Sequence, residues 1–259
     1  MKGKSALITG STAGLGAATA ARLAQEGCDI VLNGFGVRSE IEAQRHELEE
    51  AYGVRVVYHG ADMAQPAEIA ELMAKAIDKF GRVDILINNA VVRHFAPVHE
   101  FPVAIWDRSI AVNISSAFHT IRLALPGMLA RNWGRIVNMS SIYGLIGAVN
   151  RVDYVTSKTA LIGMSRAVAL ECAHSGVTCN AICPGSASTP AIEERVQAIM
   201  TGEHVSHDAA VERFLAGKQP SGKFVDAQNV AALIVFLCGE AGRDINGAAL
   251  PIDAGWAAS

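Results

Sequence analysis

The sequence lacks the features that mark several classes of protein. Charged residues make up only 18% of the 259 positions, the formal net charge is −3, and Lys and Arg form no long run. Nucleic acid is therefore not an expected partner. Uncharged apolar runs are shorter than the roughly 18 residues that span a bilayer, so no membrane partner is expected either. The apolar run near the N-terminus is cut at Gly10, too early for a secretory signal, and we expect a cytoplasmic protein.

Cysteine is scarce and follows no pattern typical of a metal site. The five cysteines are Cys28, Cys172, Cys179, Cys183 and Cys238. An odd count without a C-x-x-C pair predicts reduced, mostly buried thiols. His204 and His207 could share one helical turn as metal ligands, but a polar surface segment is the favoured interpretation. We therefore expect no bound metal.

What the chain does have is a repeated alternation of short apolar runs with longer segments of helical spacing. The alternation predicts strands at 5–9, 29–32, 54–58, 84–87, 135–139, 177–182 and 248–252. It predicts helices at 15–26, 40–51, 66–79, 103–130 and 153–174. Such a pattern is typical of a parallel sheet covered by helices on both faces. The predicted fold is α/β: a single-domain, Rossmann-like, doubly wound parallel sheet over residues 1–259.

One segment, at about 186–220, departs from this alternation. It contains no convincing strand, and its spacing predicts short helices at 193–199 and 208–216 with a polar join at 201–207. In an α/β fold, an insertion after the carboxyl end of a strand lies beside the ligand crevice. We interpret the segment as a helical lid over the substrate. An ordinary surface helical hairpin is the alternative.

A glycine-rich turn follows the first predicted strand. Gly10, Gly14 and Gly16 lie between that strand and a helix, in the pattern Gly-x3-Gly-x-Gly. Glycines let the backbone approach a pyrophosphate, and a helix N-terminus supplies free N–H groups and a positive dipole end. The strand–turn–helix context indicates a dinucleotide cradle that includes Thr12 and Leu15. A turn that serves only strand–helix packing is the alternative.

The choice of cofactor depends on the end of the second strand. A carboxylate there would bind the adenosine ribose, and an arginine would suit a 2′-phosphate. The segment Asn33-Gly-Phe35-Gly36 offers neither. Ala13 stands where an arginine could meet the phosphate, and Arg38 is the nearest cation. The lack of a basic pocket favours NAD as the cofactor, and we expect Phe35 to lie beside the bound NAD. Arg38 keeps NADP as an alternative cofactor.

The candidate catalytic pair is Tyr154 and Lys158, which lie four residues apart and share one face of a predicted helix. Free tyrosine has a pKa near 10, and a nearby ammonium favours the phenolate. Tyr154 could take the proton from a substrate hydroxyl as hydride leaves for a nicotinamide. Ser141 follows the fifth predicted strand and is the candidate donor to the substrate oxygen, although Ser140 is adjacent.

Together these motifs resemble those of the short-chain dehydrogenase/reductase superfamily across essentially the whole chain. The matching positions are Thr9-Gly10-x3-Gly14-x-Gly16, Asp62, Asn88-Asn89-Ala90, Asn113, Ser141, Tyr154-x3-Lys158 and Pro184-Gly185. The resemblance implies an adenosine site formed by Asp62, Met63, Asn88, Asn89 and Ala90. It implies that Lys158 binds the nicotinamide ribose and shares a proton relay through water with Asn113. Pro184, Gly185 and Thr189 would lie at the nicotinamide.

Within this family the chain is most similar to the bacterial D-3-hydroxybutyrate dehydrogenases. The shared stretches are 32–36, 180–185, 218–221 and Asp253-x-Gly255-Trp256. The resemblance supports NAD, because those enzymes use NAD without an acidic residue after the second strand. Two positions depart from the pattern. Val91 replaces a glycine near the cofactor, and Ser186 replaces a tryptophan that commonly follows Pro-Gly.

The positions that hold the substrate depart as well. In that subfamily two glutamines, a histidine and a lysine hold the substrate carboxylate. The matching residues here are Arg93, Arg195, Tyr143 and Arg151. Guanidinium groups suit carboxylate, sulfonate or phosphate, and three of them exceed the need of one carboxylate. We therefore expect a small anionic hydroxy or oxo acid, 3-hydroxybutyrate-like and more anionic or larger, held also by Ser141 and Tyr154. Arginines that face solvent or pair with nearby acids are the alternative.

Two other functions are kept as alternatives. An NADP-dependent 3-oxoacyl reductase would need a basic 2′-phosphate pocket. A catalytically idle NAD(H)-binding protein would fit Val91 but not an intact set of Ser141, Tyr154 and Lys158. The predicted helices at 103–130 and 153–174 carry more apolar residues than one core-facing stripe needs. Similar proteins are tetramers built on those helices and on the C-terminal strand, so we expect a homotetramer.

Overall fold

A seven-stranded parallel sheet forms the centre of the computed structural model, which describes residues 1–258. Its strands are β1 (Ser5–Ile8), β2 (Asp29–Asn33), β3 (Val56–His59), β4 (Ile85–Asn88), β5 (Gly134–Met139), β6 (Val177–Pro184) and β7 (Ala249–Ile252). The strand order is β3-β2-β1-β4-β5-β6-β7, and every neighbouring pair is parallel. The predicted doubly wound sheet is confirmed, and each strand lies within two residues of its predicted bounds.

Helices cover both faces of this sheet. They are α1 (Gly14–Gln25), α2 (Arg38–Tyr52), α3 (Pro66–Phe80), α4 (Val103–Ile110), α5 (Ser116–Ala130), α6 (Val152–Glu171), α7 (Pro190–Glu203), α8 (His207–Leu215) and α9 (Ala227–Cys238). Alternate strand residues point to opposite faces. Ala6 and Ile8 therefore pack with α1 and α9, whereas Leu7 packs with α3, α5 and α6. Strands buried on both faces explain the near-continuous apolar runs of the sequence.

The helical region predicted over 103–130 is confirmed, and one turn within it is wider than an α-helical turn. α4 and α5 are joined by a π turn at Ala111–Ser115. Within it the N–H of Ser116 bonds to the carbonyl of Ala111, five residues back. Apolar spacing does not reveal a turn widened by one residue, and such turns are frequent at functional sites. This π turn carries the buried Asn113.

The sequence pattern leaves residues 227–238 unassigned, and the structure forms α9 there. The run from Ala231 to Cys238 is wholly apolar, so periodicity does not distinguish a buried helix from a strand. Asp226 caps the helix, because its carboxylate accepts the N–H of Gln228 at 2.8 Å. α9 buries Val230 and Ile234 in the core it shares with α1.

Residues 186–225 leave the sheet after β6 and form a helical hairpin of α7 and α8. Its helices are close to the two predicted ones, α7 being longer than expected. The hairpin has a small apolar core of its own, formed by Val196, Ala210, Phe214 and Leu215. Its two ends are joined at the base. The N–H of Val225 donates to the carbonyl of Ser186 at 2.9 Å, and Ala187 bridges Val225 in parallel.

Candidate active site

The glycine turn after β1 is built so that only glycine fits at two of its positions. Gly10 has a φ of +63°, and a Cβ there would lie 2.9 Å from the Cα of Ala90. A Cβ on Gly16 would lie 2.2 Å from the carbonyl oxygen of Gly10. α1 begins at Gly14, and its N-cap residue Ala13 makes no side-chain cap. The first N–H groups of the helix are thus available to an anion, which fits a dinucleotide pyrophosphate.

Thr9 and Asn89 tie this turn to the end of β4. The Thr9 hydroxyl accepts the N–H groups of Asn89 at 2.9 Å and of Ala90 at 3.0 Å. The Asn89 amide donates to the carbonyls of Thr9 at 3.0 Å and of Gly10 at 2.8 Å. β1 and β4 are neighbours where the strand order reverses direction, and ligands of open α/β sheets bind at that point.

Asn33, which the sequence analysis did not select, organises the loop after β2. Its side-chain oxygen accepts the N–H of Gly10 at 3.2 Å. Its amide donates to the carbonyls of His59 at 3.1 Å and Ala61 at 3.0 Å. Asparagine after a strand is the only signal in the sequence. Because its partners come from distant segments, only the fold reveals this role.

The other predicted adenosine residues surround this loop. Thr12 donates its hydroxyl to the carbonyl of Phe35 at 2.8 Å, and the Phe35 ring is 64% exposed at the rim. The Asp62 carboxylate forms an ion pair with Arg108 at 3.2 Å. Met63 is buried in the core between the sheet and α3. Thr12 and Phe35 thus lie at the rim, Asp62 is engaged by a cation, and Met63 lies within the core.

Ser141, Tyr154 and Lys158 are buried together at the carboxyl end of β5. The side chains of Ser141 and Arg93 both act on the Tyr154 hydroxyl and favour its ionised form, and the Arg93 guanidinium lies 5.3 Å from the centre of the Tyr154 ring. The Lys158 ammonium donates to the carbonyl of Met139 at 2.6 Å and lies 5.5 Å from the centre of the Tyr154 ring. Ser141 and Lys158 thus reach Tyr154 from two sides.

The charges around Tyr154 favour its phenolate. Burial opposes ionisation, but the positive charges of Arg93 and Lys158, with hydrogen bonds from Arg93 and Ser141, lower the pKa of Tyr154 to about 8. Burial also lowers the pKa of Lys158, and the Tyr154 phenolate opposes that shift. A tyrosine in this setting can give up and take back a proton close to neutral pH.

Two neighbouring polar residues have different roles. Ser140 donates its hydroxyl to the carbonyl of Lys158 at 2.7 Å, so it fixes α6 and leaves Ser141 to face Tyr154.

Asn113 holds Val92 by both of its backbone polar groups. Its side-chain oxygen accepts the Val92 N–H at 2.9 Å, and its amide donates to the Val92 carbonyl at 3.0 Å. Asn113 therefore fixes the loop that carries Arg93.

The predicted nicotinamide residues lie where β6 leads into the hairpin. Gly185 is packed tightly, because a Cβ there would lie 3.0 Å from the Cα of Asp253. Thr189 is the N-cap residue of α7, and its methyl group would lie 3.5 Å from a Cβ on Gly14. Pro184 and Leu15 line the same cavity. The base of the hairpin thus lies next to the glycine turn.

A cavity of about 760 Å³ joins these groups. Its lining includes the predicted substrate residues Arg93, Tyr143, Arg151 and Arg195. The nearby acids do not neutralise these arginines: Glu193 pairs with His207 at 3.0 Å, and Asp153 accepts the hydroxyl of Ser109 at 2.8 Å. Val91 is also on the wall and needs no left-handed backbone.

Several further residues of this wall were not predicted from the sequence. Among them are Phe95, Phe214 and Lys218. Lys218 belongs to a stretch noted for its resemblance to other sequences, which was the only available signal. The two aromatic rings read as ordinary apolar residues, since nothing local in the sequence shows that they face a cavity.

The remaining candidates do not form a second site. The five cysteines are free and buried, and burial raises the pKa of Cys28, Cys179 and Cys238 to about 12. His204 ends α7 with a φ of +54°. Within residues 1–258, no three His, Cys, Asp or Glu side chains are grouped to hold a metal ion. No helix in that part of the chain has the length and apolar character to cross a bilayer.

Comparison with known proteins agrees with this geometry. The family model described as short chain dehydrogenase matches residues 4–199. D-beta-hydroxybutyrate dehydrogenase of Cupriavidus necator is 45% identical, over 100% of this chain and 99% of that protein. The enzyme of the same name from Rhizobium meliloti is 43% identical, over 98% and 99%. The L-sorbose reductase of Gluconobacter frateurii, solved with NADPH and L-sorbose, superposes with a TM-score of 0.94 at 29% identity, over 98% and 97%.

The chain therefore belongs to the short chain dehydrogenase family. It is an oxidoreductase that acts on a CH–OH group and uses a nicotinamide cofactor.

Proposed function

We propose that the protein is an NAD-dependent dehydrogenase that transfers hydride between a 3-hydroxy acid and the nicotinamide, with Tyr154 as the general acid and base. One observation carries this proposal: Ser141, Tyr154 and Lys158 meet in a cavity that also reaches the glycine turn. Identity of 45% to a D-beta-hydroxybutyrate dehydrogenase over the full length supports the substrate class.

Each step can be assigned to a side chain of this site. When bound, an oxidised nicotinamide supplies the acceptor for the hydride of the carbinol carbon. Tyr154, as the phenolate, takes the proton of the substrate hydroxyl, and in reduction the phenol returns it. Ser141 donates a hydrogen bond to the substrate oxygen as its charge changes. Lys158 stabilises the phenolate and would hold the ribose of a bound nicotinamide cofactor. Asn113 would contribute to a proton relay behind Lys158.

The loop after β2 supports NAD as the cofactor. The L-sorbose reductase was solved with NADPH, so the fold alone does not select the cofactor. In this chain Asn33 is fully engaged by backbone groups, and Ala13 supplies no cation for a 2′-phosphate. Arg38, the nearest cation, is exposed at the start of α2. The predicted contacts to Gly10, Gly14 and the neighbouring turn are the same for both cofactors.

We also propose that the helical hairpin is a lid and that the protein is a homotetramer. The hairpin contributes Thr189, Arg195 and Lys218 to the cavity wall, so it closes over the substrate. Exposed apolar side chains on α4, α5 and α6 support association of copies of the chain: Val103 is 74%, Phe118 54% and Leu170 78% exposed. Light scattering tests the assembly, and a monomeric mass would contradict it.

The activity is tested by following NADH formation with D-3-hydroxybutyrate and longer 3-hydroxy acids. We expect kcat/KM with NAD to exceed that with NADP by at least about tenfold, which corresponds to about 1.4 kcal/mol. A preference for NADPH and a 3-oxoacyl thioester would instead favour the reductase alternative. Tight NADH binding without turnover of any hydroxy acid would favour an idle cofactor-binding protein.

A further inference from the structure

One wall of the cavity carries cations and aromatic rings in strict alternation. The guanidinium of Arg151 lies 3.8 Å from the centre of the Phe95 ring, and that of Arg195 lies 5.1 Å from the same ring. Arg195 is also 4.9 Å from the centre of the Phe214 ring, and the ammonium of Lys218 is 3.8 Å from it. We call this row Arg151–Phe95–Arg195–Phe214–Lys218 the cation ladder. The rings stabilise the cations and hold them apart.

The positive charge of the ladder has no counterion in the described part of the chain. Arg151, Arg195 and Lys218 take part in no ion pair there, and no Asp or Glu lines the cavity over residues 1–258. Arg151 is only 9% exposed, and its Nη1 has no hydrogen-bond partner. A buried, unpaired guanidinium is costly unless an anion joins it. The wall is therefore set up for a negatively charged ligand.

The members of the ladder repel one another across the rings. Burial, followed by the charges of Arg195 and Arg151, lowers the pKa of Lys218 to about 8. Burial likewise lowers the pKa of Arg195, and Arg93 adds to that shift. Arg195 is exposed, so water screens part of this repulsion. An anion bound among the three cations would relieve it.

We propose that the cation ladder binds the charged part of a hydroxydicarboxylic acid, so that the substrate carries two carboxylates. A single carboxylate would pair with one cation of the ladder and leave the other cations unpaired. A compact phosphate needs cations gathered around one point, whereas here an aromatic ring separates each neighbouring pair. Two carboxylates on one chain match cations spread along a wall. The proposal rests on the proposed 3-hydroxy acid dehydrogenase activity and specifies its substrate.

Arg93 stands apart from the ladder, because it lies 5.3 Å from the centre of the Tyr154 ring and exerts the largest charge effect on the Tyr154 hydroxyl. It therefore belongs to the reacting end of the substrate, and the ladder to the rest of the molecule. Ser186 lies on the cavity wall and adds little bulk, which leaves room for a chain longer than four carbons.

The test compares substrates that differ by one carboxylate. We expect kcat/KM for 3-hydroxyadipate to exceed that for 3-hydroxyhexanoate by about 10- to 100-fold, the value of one or two charge-assisted contacts. Arg195→Gln and Lys218→Met should each lower kcat/KM for 3-hydroxyadipate far more than kcat/KM for 3-hydroxyhexanoate, and so remove most of that preference. Arg243→Gln, which removes an exposed surface cation paired with Glu240, is the matched control and should leave both values unchanged.

A binding measurement separates this proposal from the proposed activity. Adipate and hexanoate are titrated against the enzyme with NADH bound, by the fluorescence of Trp256, which lines the cavity. Tighter binding of adipate that is lost in Arg195→Gln supports the ladder even if no hydroxy acid is oxidised, a result that would overturn the proposed activity alone. Equal use of both hydroxy acids, or a phosphorylated hydroxy acid that outperforms 3-hydroxyadipate, overturns the dicarboxylate proposal and leaves the activity standing.

Discussion

The guanidinium of Arg93 lies 5.3 Å from the centre of the Tyr154 ring, where its positive charge favours the phenolate. Lys158 lies at a similar distance, 5.5 Å. Arg151 and Tyr143 also face the ring, at 5.2 Å and 6.3 Å. The sequence predicted one cation beside the phenolate, and the structure supplies a second, Arg93, whose charge lowers the pKa of Tyr154.

This contact predicts a change of pH dependence in Arg93→Gln. Loss of the positive charge disfavours the phenolate, so the pKa of Tyr154 rises from about 8. Oxidation needs the phenolate, and the ascending limb of log kcat/KM against pH should move to higher pH by about one unit. The measurement is a pH–rate profile for oxidation with saturating NAD.

Arg93→Lys is the matched control for that profile. It keeps a positive charge but loses the planar fork, so the midpoint should stay near that of the unchanged enzyme while KM rises. An unshifted midpoint in Arg93→Gln would show that Arg93 binds substrate without influencing the acid–base group.

Tyr154→Phe should separate chemistry from cofactor binding. The hydroxyl that exchanges the proton is lost, so kcat should fall by about 10²- to 10⁴-fold. The dissociation constant of NADH, measured by fluorescence titration, should change little, because the glycine turn is untouched. Tyr52→Phe alters a tyrosine 39% exposed at the end of α2 and should leave kcat unchanged. Turnover preserved in Tyr154→Phe would assign the proton transfer to another group.

Two glycine substitutions should have opposite effects on stability. Gly16→Ala places a Cβ 2.2 Å from the carbonyl oxygen of Gly10, so it should distort the turn, weaken NADH binding and lower the free energy of unfolding. Gly163→Ala, in the exposed middle of α6, meets no atom within 4 Å and should raise that free energy by about 0.5–1 kcal/mol. Denaturant unfolding and NADH titration of both variants check the pair. A stable Gly16→Ala enzyme with unchanged NADH affinity would refute the tight packing.

Asn113→Ala should loosen the loop that carries Arg93. It removes both hydrogen bonds to Val92, which should lower the free energy of unfolding by about 2 kcal/mol. The pH midpoint of oxidation should move in the same direction as in Arg93→Gln, because Arg93 is no longer held against Tyr154. A loss of stability with an unchanged midpoint would mean that Asn113 supports the fold but does not position Arg93.

The sequence was sufficient to predict those features that are marked by residues close together in the chain. Short apolar runs gave the strand positions. Gly10, Gly14 and Gly16 marked the turn because these closely spaced glycines lie between a strand and a helix. Ser141, Tyr154 and Lys158 could be selected as candidates because two of them share a helix and the third follows shortly after a strand.

The rest depends on contacts between distant segments. Asn33 acts through groups that lie 23 to 28 residues away, and no neighbouring residue reveals this. α9 was not predicted because its wholly apolar run shows no helical or strand periodicity. The π turn was not predicted because one extra residue in a helix leaves the apolar pattern intact. The cation ladder joins Phe95 on one loop to Phe214 and Lys218 on the hairpin, a pairing that only the fold creates.

The joined base of the helical hairpin has a mechanical consequence. Ser186 and Val225 are hydrogen-bonded to each other, so the two points at which the hairpin leaves and rejoins the sheet are fixed at one place. A small apolar core of their own packs α7 and α8 into one unit. For the proposed lid we therefore expect a swing about a single hinge line rather than a peeling of the chain. Such a swing would carry Arg195 and Lys218 away from Phe95 and Arg151, and so would divide the cation ladder each time a molecule enters or leaves.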